Sequence, residues 1–188
     1  MNERKPHVTH NTGRVEWYTP PAVIKAVRDV LGQIDLDPAS TAEANQIVGA
    51  KKFFTRDDDG LKQDWLGKIF CNPPYSRGLI DKFVVKLLRE FAGGRTTEAI
   101  VLTNAATDTD WAHKLMALAD QIIFTKKRLK FLKPDGSIAG TPTCGQMFCY
   151  FGERSEKFYS TFSQFGLPIT FSLQKKYSRQ TPTTAQIV

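Results

Sequence analysis

The stretch from Lys68 to Leu102 constrains the fold more than any other part of the chain. Lys68-Ile69-Phe70-Cys71 reads as a strand. Asn72-Pro73-Pro74-Tyr75 forbids its continuation, because proline fixes φ and has no N–H to give to a ladder. Ile80, Phe83, Val84, Leu87, Leu88 and Phe91 then recur at helical spacing. Ala99-Ile100-Val101-Leu102 follows, apolar throughout, as expected of a buried parallel strand. Strand, helix and strand in this order predict a parallel pair in a sheet covered by helices.

The remaining segments extend that pattern. Thr19-Pro20-Pro21 followed by Val23, Val27, Val30, Leu31 and then Gly32 predicts an amphipathic helix with Thr19 as its N-cap. Ile34–Asp37 reads as a strand, and Ser40 with Glu43 has capping-box spacing ahead of a helix over Ala42–Val48. Lys52–Thr55 reads as another strand, ended by the acidic turn Asp57-Asp58-Asp59-Gly60. Trp111, Leu115 and Leu118 predict a helix, and Gln121–Phe124 a strand. The fold class is therefore α/β, a mostly parallel sheet with helices on both faces. After Phe124 the pattern changes: Arg128–Phe131 and Cys144–Phe151, separated by the turn Pro134-Asp135-Gly136, predict a small antiparallel C-terminal extension. Phe158, Phe162 and Phe165 form a short apolar stripe. Residues 1–15 and 178–188 are polar and aperiodic and are expected to be flexible, leaving one domain over 16–177.

Charge and cysteine content narrow the classes. The 188 residues carry a net charge of +7. Lys126, Lys127, Arg128, Lys130 and Lys133 fall within eight residues without an acid among them. Such a segment suits a polyanion; a solvated charged strand is the plainer alternative. The region 125–150 is the expected DNA-contacting hairpin or loop region. Three cysteines do not suit a disulfide framework and point to a reducing compartment. The polar start Met1–His7 carries no apolar signal core, and no apolar run approaches the ~20 residues of a membrane span, so a cytoplasmic location is expected. Cys144 and Cys149 have no second ligand pair, and no metal site is expected. Neither a Ser/His/Asp arrangement nor a Gly-x-x-x-x-Gly-Lys phosphate loop is present, which removes the corresponding hydrolase and NTPase readings.

Asn72-Pro73-Pro74-Tyr75 lies where a predicted strand of an α/β sheet ends, the edge at which ligands gather. Its chemistry suits methylation of an exocyclic amine, whose lone pair is delocalised into a ring. The Asn72 amide oxygen and the Pro73 carbonyl can each accept one N–H and turn the nitrogen lone pair toward a methyl donor. Pro73 and Pro74 hold those acceptors still. Tyr75 offers a ring for stacking an extruded base. A rigid turn after a strand is the alternative that needs no ligand.

At these residues the chain resembles the phage-type DNA N-6-adenine methyltransferases, relatives of the Dam enzymes. The matching segments are Trp17-Tyr18-Thr19-Pro20, Asp37-Pro38-Ala39-Ser40 with Asn45, Phe53-Phe54-Thr55, Asp59-Gly60-Leu61 with Trp65, and Asn72-Pro73-Pro74-Tyr75-Ser76. Leu102-Thr103 with Trp111, Arg128 with Phe131, and Met147–Gly152 also match, so the likeness spans roughly residues 14–152. It implies a Rossmann-like class I fold that uses S-adenosylmethionine (SAM), with no metal, acting on double-stranded DNA at a specific site. It implies that Thr19 and Pro20 approach the methionine part of SAM, with Trp17 and Tyr18 packed against it. By the same likeness Asp37 holds the SAM ammonium, and the Pro38-Ala39-Ser40 turn lies against its carboxylate end. Asp59 beside Gly60 is assigned to the SAM adenine, and Asp57, Asp58 or a substitute near Asn45 to the ribose. The glycine-rich G-x-G turn common among SAM enzymes is absent. Ser76, Arg77, Lys126, Lys127, Arg128, Lys130 and Lys133 are the expected DNA contacts. Two alternatives use the same residues: N-methylation of RNA or of a protein glutamine, and a non-catalytic DNA- or SAM-binding regulator on the same fold.

Overall fold

The computed structural model describes residues 17–76 and 78–169. The arm expected at 1–15, Arg77 and the tail expected at 178–188 lie outside the described residues. The helices are α1 (Pro21–Leu31), α2 (Ala42–Val48), α3 (Leu79–Ala92), α4 (Asp110–Leu118) and α5 (Ser155–Phe162). The strands are β1 (Leu36–Asp37), β2 (Lys52–Phe53), β3 (Gly67–Cys71), β4 (Thr96–Asn104), β5 (Gln121–Thr125), β6 (Gln146–Phe151) and β7 (Gly166–Ile169). They form one sheet in the order β2-β1-β3-β4-β6-β5-β7.

The first four strands of that order are mutually parallel, as the βαβ reading requires. β6 pairs antiparallel with both β4 and β5, and β7 pairs antiparallel with β5. The antiparallel part is therefore not an extension. β6 is inserted inside the sheet, buried at all six positions, and only β7 is appended at the edge. A strand as apolar as Met147–Phe151 is stable only between two covered faces.

Those faces are two cores. α3 and α4 pack Phe83, Val84, Leu87, Leu88 and Leu115 on one side, against Ile69, Cys71, Val101 and Met147. α1 and α5 pack Val27, Val30, Phe158 and Phe162 on the other, against Phe70, Ile100, Ile123 and Phe148. Phe148 meets Phe162 edge-on at 4.9 Å, and Phe158 stacks on Tyr150 at 5.0 Å. At the amino edge of the sheet, Glu98 takes the Arg154 guanidinium and the Tyr150 hydroxyl, while Arg154 also donates to Leu31 O. The ion pair locks that edge and leaves chemistry to the opposite one.

Four local expectations change. Thr19 is not the cap of α1: the N-cap is Pro20, whose carbonyl accepts from Val23 and Ile24. Pro20 precedes Pro21 and is steered out of the α region, so the cap falls there and the Thr19 hydroxyl stays available. Thr41, not Ser40, caps α2, accepting from Ala44 N at 3.1 Å. The Ser40 N–H is already bound to Phe54 O, so the cap falls one residue later, while the helix keeps its expected span Ala42–Val48. Of Ile34–Asp37 and Lys52–Thr55, only Leu36–Asp37 and Lys52–Phe53 are ladder strands, although Asp35 N still bonds Lys68 O. Arg128–Phe131 is not a strand. Leu129 N donates to the side chain of Gln146, and ladder-like pairing is confined to bridges of Leu132 with Tyr18 and Ile138.

Candidate active site

β1, β3 and β4 all end on one edge of the sheet, at Asp37, Cys71 and Asn104. The first two exits are forced by sequence: Pro38 after Asp37, and Pro73-Pro74 after Asn72. The site-forming residues are thus delivered by strands whose positions the two cores fix.

Cys71 faces the α3 side of the sheet, and alternation turns the next residue the other way. Asn72 accordingly meets the segment leading into α1: its Nδ2 donates to Thr19 Oγ1 at 3.5 Å, 53 residues away in sequence. That contact uses the amide nitrogen and leaves Oδ1 without a hydrogen-bond donor among the described residues. Thr19 is buried and Pro73 is buried, whereas Asn72 is half-buried. Tyr75 reaches across the end of β4, where its hydroxyl oxygen accepts from Asn104 N at 2.6 Å, while 39% of the residue remains exposed. Burial of the phenol oxygen raises its pKa, so the hydroxyl stays neutral.

Asp37 is a buried carboxylate, 4% exposed. Burial pushes its pKa up from 3.8 to about 6, against the opposing pull of hydrogen bonds from Ala39 N and the Ser40 hydroxyl. Asp37 appears in no ion pair among the described residues. A buried acid of this kind suits a cationic group of a ligand, and the SAM ammonium matches in sign and size. The loop of Gly60 packs directly on this turn: a Cβ at Gly60 would stand 2.2 Å from Pro38 O. Trp65, fully buried, donates its indole N–H to Gly60 O at 2.8 Å and pins the loop from below. Pro38 and Ser40 are buried and Ala39 is half-buried, so the turn presents backbone more than side chain.

Other expected donor-site residues have other tasks here. Asn45 uses both ends of its amide on Ala50, bracing the turn between α2 and β2. Asp58 accepts from the Thr55 backbone and hydroxyl. Asp59 adopts φ 51 and pairs with Lys62 at 2.9 Å, which holds its carboxyl below the usual range. Asp57 is exposed. Trp17 packs on Phe131 at 5.7 Å, and Tyr18 exchanges two backbone hydrogen bonds with Leu132. These contacts hang the Trp17–Pro20 segment along the same edge.

Lys126, Lys127, Arg128 and Lys133 are exposed, as is Ser76, and Lys130 also borders solvent; Arg77 is outside the described residues. The first three and Lys130 line a groove of about 400 Å³ with Pro20 and Phe165. β5 lies three strand spacings from β3, which puts the start of this segment about 14 Å from the Asn72 exit. Sequence reading missed Gln146 and the backbone amide of Asn104. A lone polar residue opening the otherwise apolar Met147–Phe151 run was the available signal for Gln146, since buried polar groups need partners. Asn104 acts through its main chain and leaves no such trace.

Among the described residues no helix is long and apolar enough to cross a membrane, and no cluster of His, Cys, Asp or Glu is built to hold a metal. No curated protein matches the chain at a significant level. The family model described as DNA N-6-adenine-methyltransferase (Dam) matches residues 7–161, a span that holds the Asn72–Tyr75 turn, the Asp37 turn and the basic segment. The chain therefore belongs to the DNA N-6-adenine-methyltransferase (Dam) family.

Proposed function

We infer that this chain methylates the N6 amine of an adenine rotated out of duplex DNA at a specific site, with SAM as methyl donor. The observation that carries the reading is the Asn72–Thr19 contact at the carboxyl edge of β3, which leaves Asn72 Oδ1 as an acceptor. Asn72 Oδ1 and the Pro73 carbonyl take the two amine hydrogens and aim the nitrogen lone pair away from the ring. Tyr75 stacks on the extruded base while its hydroxyl stays anchored to β4. Asp37 and the Pro38–Ser40 turn hold the amino-acid end of the donor, and Thr19 borders it. SAM, when bound, would supply a sulfonium methyl group and leave as S-adenosylhomocysteine; no strong base is required before transfer, because the surplus amine proton would leave to water only afterwards. The solvent-facing cations of Lys126–Lys133 follow the DNA backbone. Cys71, the residue before Asn72, is packed into the core on the α3 side of the sheet, so it is not the thiolate that ring-carbon methylation would need.

The test is nucleoside mass spectrometry of duplex DNA incubated with the protein and SAM. N6-methyladenine is the expected product, and Asn72→Ala lowers its rate of formation by at least about a hundredfold, as loss of a transition-state contact does. SAM affinity changes far less in that variant. N4-methylcytosine, or label found only on RNA or protein, overturns the assignment. A 2-aminopurine placed at the target position brightens on binding if the base leaves the stack.

A further inference from the structure

Gln146 opens β6 directly opposite Asn104 of β4, at a position only 1% exposed. Both ends of its amide are used. Oε1 accepts from Leu129 N at 2.8 Å, and Nε2 donates to Cys144 O at 2.6 Å. Its main chain is held as well, since the Thr125 hydroxyl bonds both Gln146 N and Gln146 O at 3.2 Å. One buried side chain thus joins two surface segments, the cationic run Lys126–Lys130 and the small polar loop Gly140–Gly145.

The second of those segments sits beside the catalytic turn. Ala105 N donates to Gly145 O at 2.8 Å, and the preceding amide, Asn104 N, donates to the Tyr75 hydroxyl at 2.6 Å. Successive N–H groups at the end of β4 therefore carry Tyr75 and the Gly140–Gly145 loop. Nothing in the loop is charged, and Thr141, Thr143 and Cys144 are all exposed, a composition that allows close approach to a base or sugar.

We propose that Gln146 is a positioning residue that clasps the cationic run and the Gly140–Gly145 loop into one DNA-facing surface, with the loop forming the wall beside Tyr75. The proposal rests on the DNA-methylation reading above. Through this clasp a phosphate gripped at Lys126–Lys130 sets where the strand passes the catalytic turn. Neither segment has a ladder strand of its own to hold it in place. Each segment keeps its own backbone anchor, Lys126 N on Phe165 O and Gly145 O on Ala105 N, so removing the amide loosens their mutual registration rather than their attachment.

The experiment compares the full chain with Gln146→Met, using unmethylated plasmid DNA and SAM. In the variant, KM for DNA rises about tenfold and kcat falls less than threefold. The log–log salt dependence of DNA binding flattens by about 1 or more, as when at least one phosphate is no longer gripped. SAM affinity by calorimetry stays within twofold. A variant with wild-type KM and wild-type salt slope overturns the proposal, as does one in which only kcat or SAM affinity falls. The wild-type chain provides an arm that no misfolded variant can spoil. Of its three cysteines only Cys144 is exposed, so iodoacetamide alkylation reports that loop. Bound plasmid DNA slows the reaction at least about fivefold if the loop is on the DNA surface; an unchanged rate overturns the proposal. If the wild-type chain transfers no methyl group to DNA, the functional reading fails, a result distinct from either.

Discussion

At the scale of single residues, the two ends of Tyr75 do different work. Its ring is exposed for stacking, and its hydroxyl is fastened to Asn104 N. Tyr75→Phe keeps the ring and leaves that amide without its acceptor. Single-turnover methylation is expected to fall a few-fold while 2-aminopurine fluorescence still rises on binding. Tyr75→Ala removes the platform and weakens productive base binding by roughly 1–3 kcal/mol. Asp37 makes an opposite kind of prediction, because its task conflicts with stability. With its pKa raised from 3.8 to about 6, the folded state holds a proton more tightly than the unfolded chain does. Folding stability is therefore fullest below pH 3.8 for this group and is lost as pH rises through about 6, by about 3 kcal/mol in all. Asp37→Asn should raise Tm at pH 8, make little difference at pH 4, and abolish tight SAM binding by calorimetry. In the wild-type chain SAM should bind more tightly as pH rises through about 6, when the acid ionises. The places of Asp37 and Asn72 at the strand ends were legible because proline forces β1 and β3 to stop beside them. Asn45 and Asp59 show what such reading leaves out. The letters give no sign that the α2 amide braces Ala50 or that the acid of the turn pairs with Lys62.

At the scale of elements, the donor-side loops are rigid through backbone packing. Gly60 lies under Pro38 because no side chain fits there. Gly60→Ala brings a methyl carbon to 2.2 Å from a carbonyl that Pro38 cannot easily move, so one loop must shift. The expected outcome is a lower Tm together with weaker SAM binding, since the displaced turn carries Asp37; an unchanged affinity would separate the two loops. The long helices were readable because their stripes repeat over several turns, as in α3, where Ile80, Phe83, Val84, Leu87 and Leu88 are all buried. The helix caps fell one residue after the expected ones where a proline or a competing hydrogen bond decided the boundary, at Pro20 and Thr41. Arg128–Phe131 has a strand-like pattern, yet Leu129 N bonds a side chain and only Phe131 O meets backbone, at Ala139 N, which no local periodicity encodes.

At the scale of the whole molecule, the Asn72–Tyr75 turn and the cationic groove belong to opposite halves of one sheet. β1, β3 and β4 lead into Pro38, Asn72 and Ala105, while β5 leads into Lys126–Lys130. Replacing Lys126, Lys127 and Lys130 with Gln should weaken DNA binding across all sequences and flatten the salt slope by about 0.9 for each phosphate no longer neutralised. SAM affinity should not follow, and an unchanged slope would leave the segment a solvated surface. The two halves are joined by β6, which pairs with β4 on one side and β5 on the other. That insertion has a consequence for biosynthesis. The ribosome completes β4 long before it reaches β6, and at about 5–20 residues per second the stretch from Asn104 to Gln146 takes roughly 2–8 s to make. Throughout that interval the apolar flank of β4 has no neighbour, an open edge of the kind that recruits strands from other chains. The strand that joins the two halves is thus also the stitch that closes the open flank of β4 in the nascent sheet.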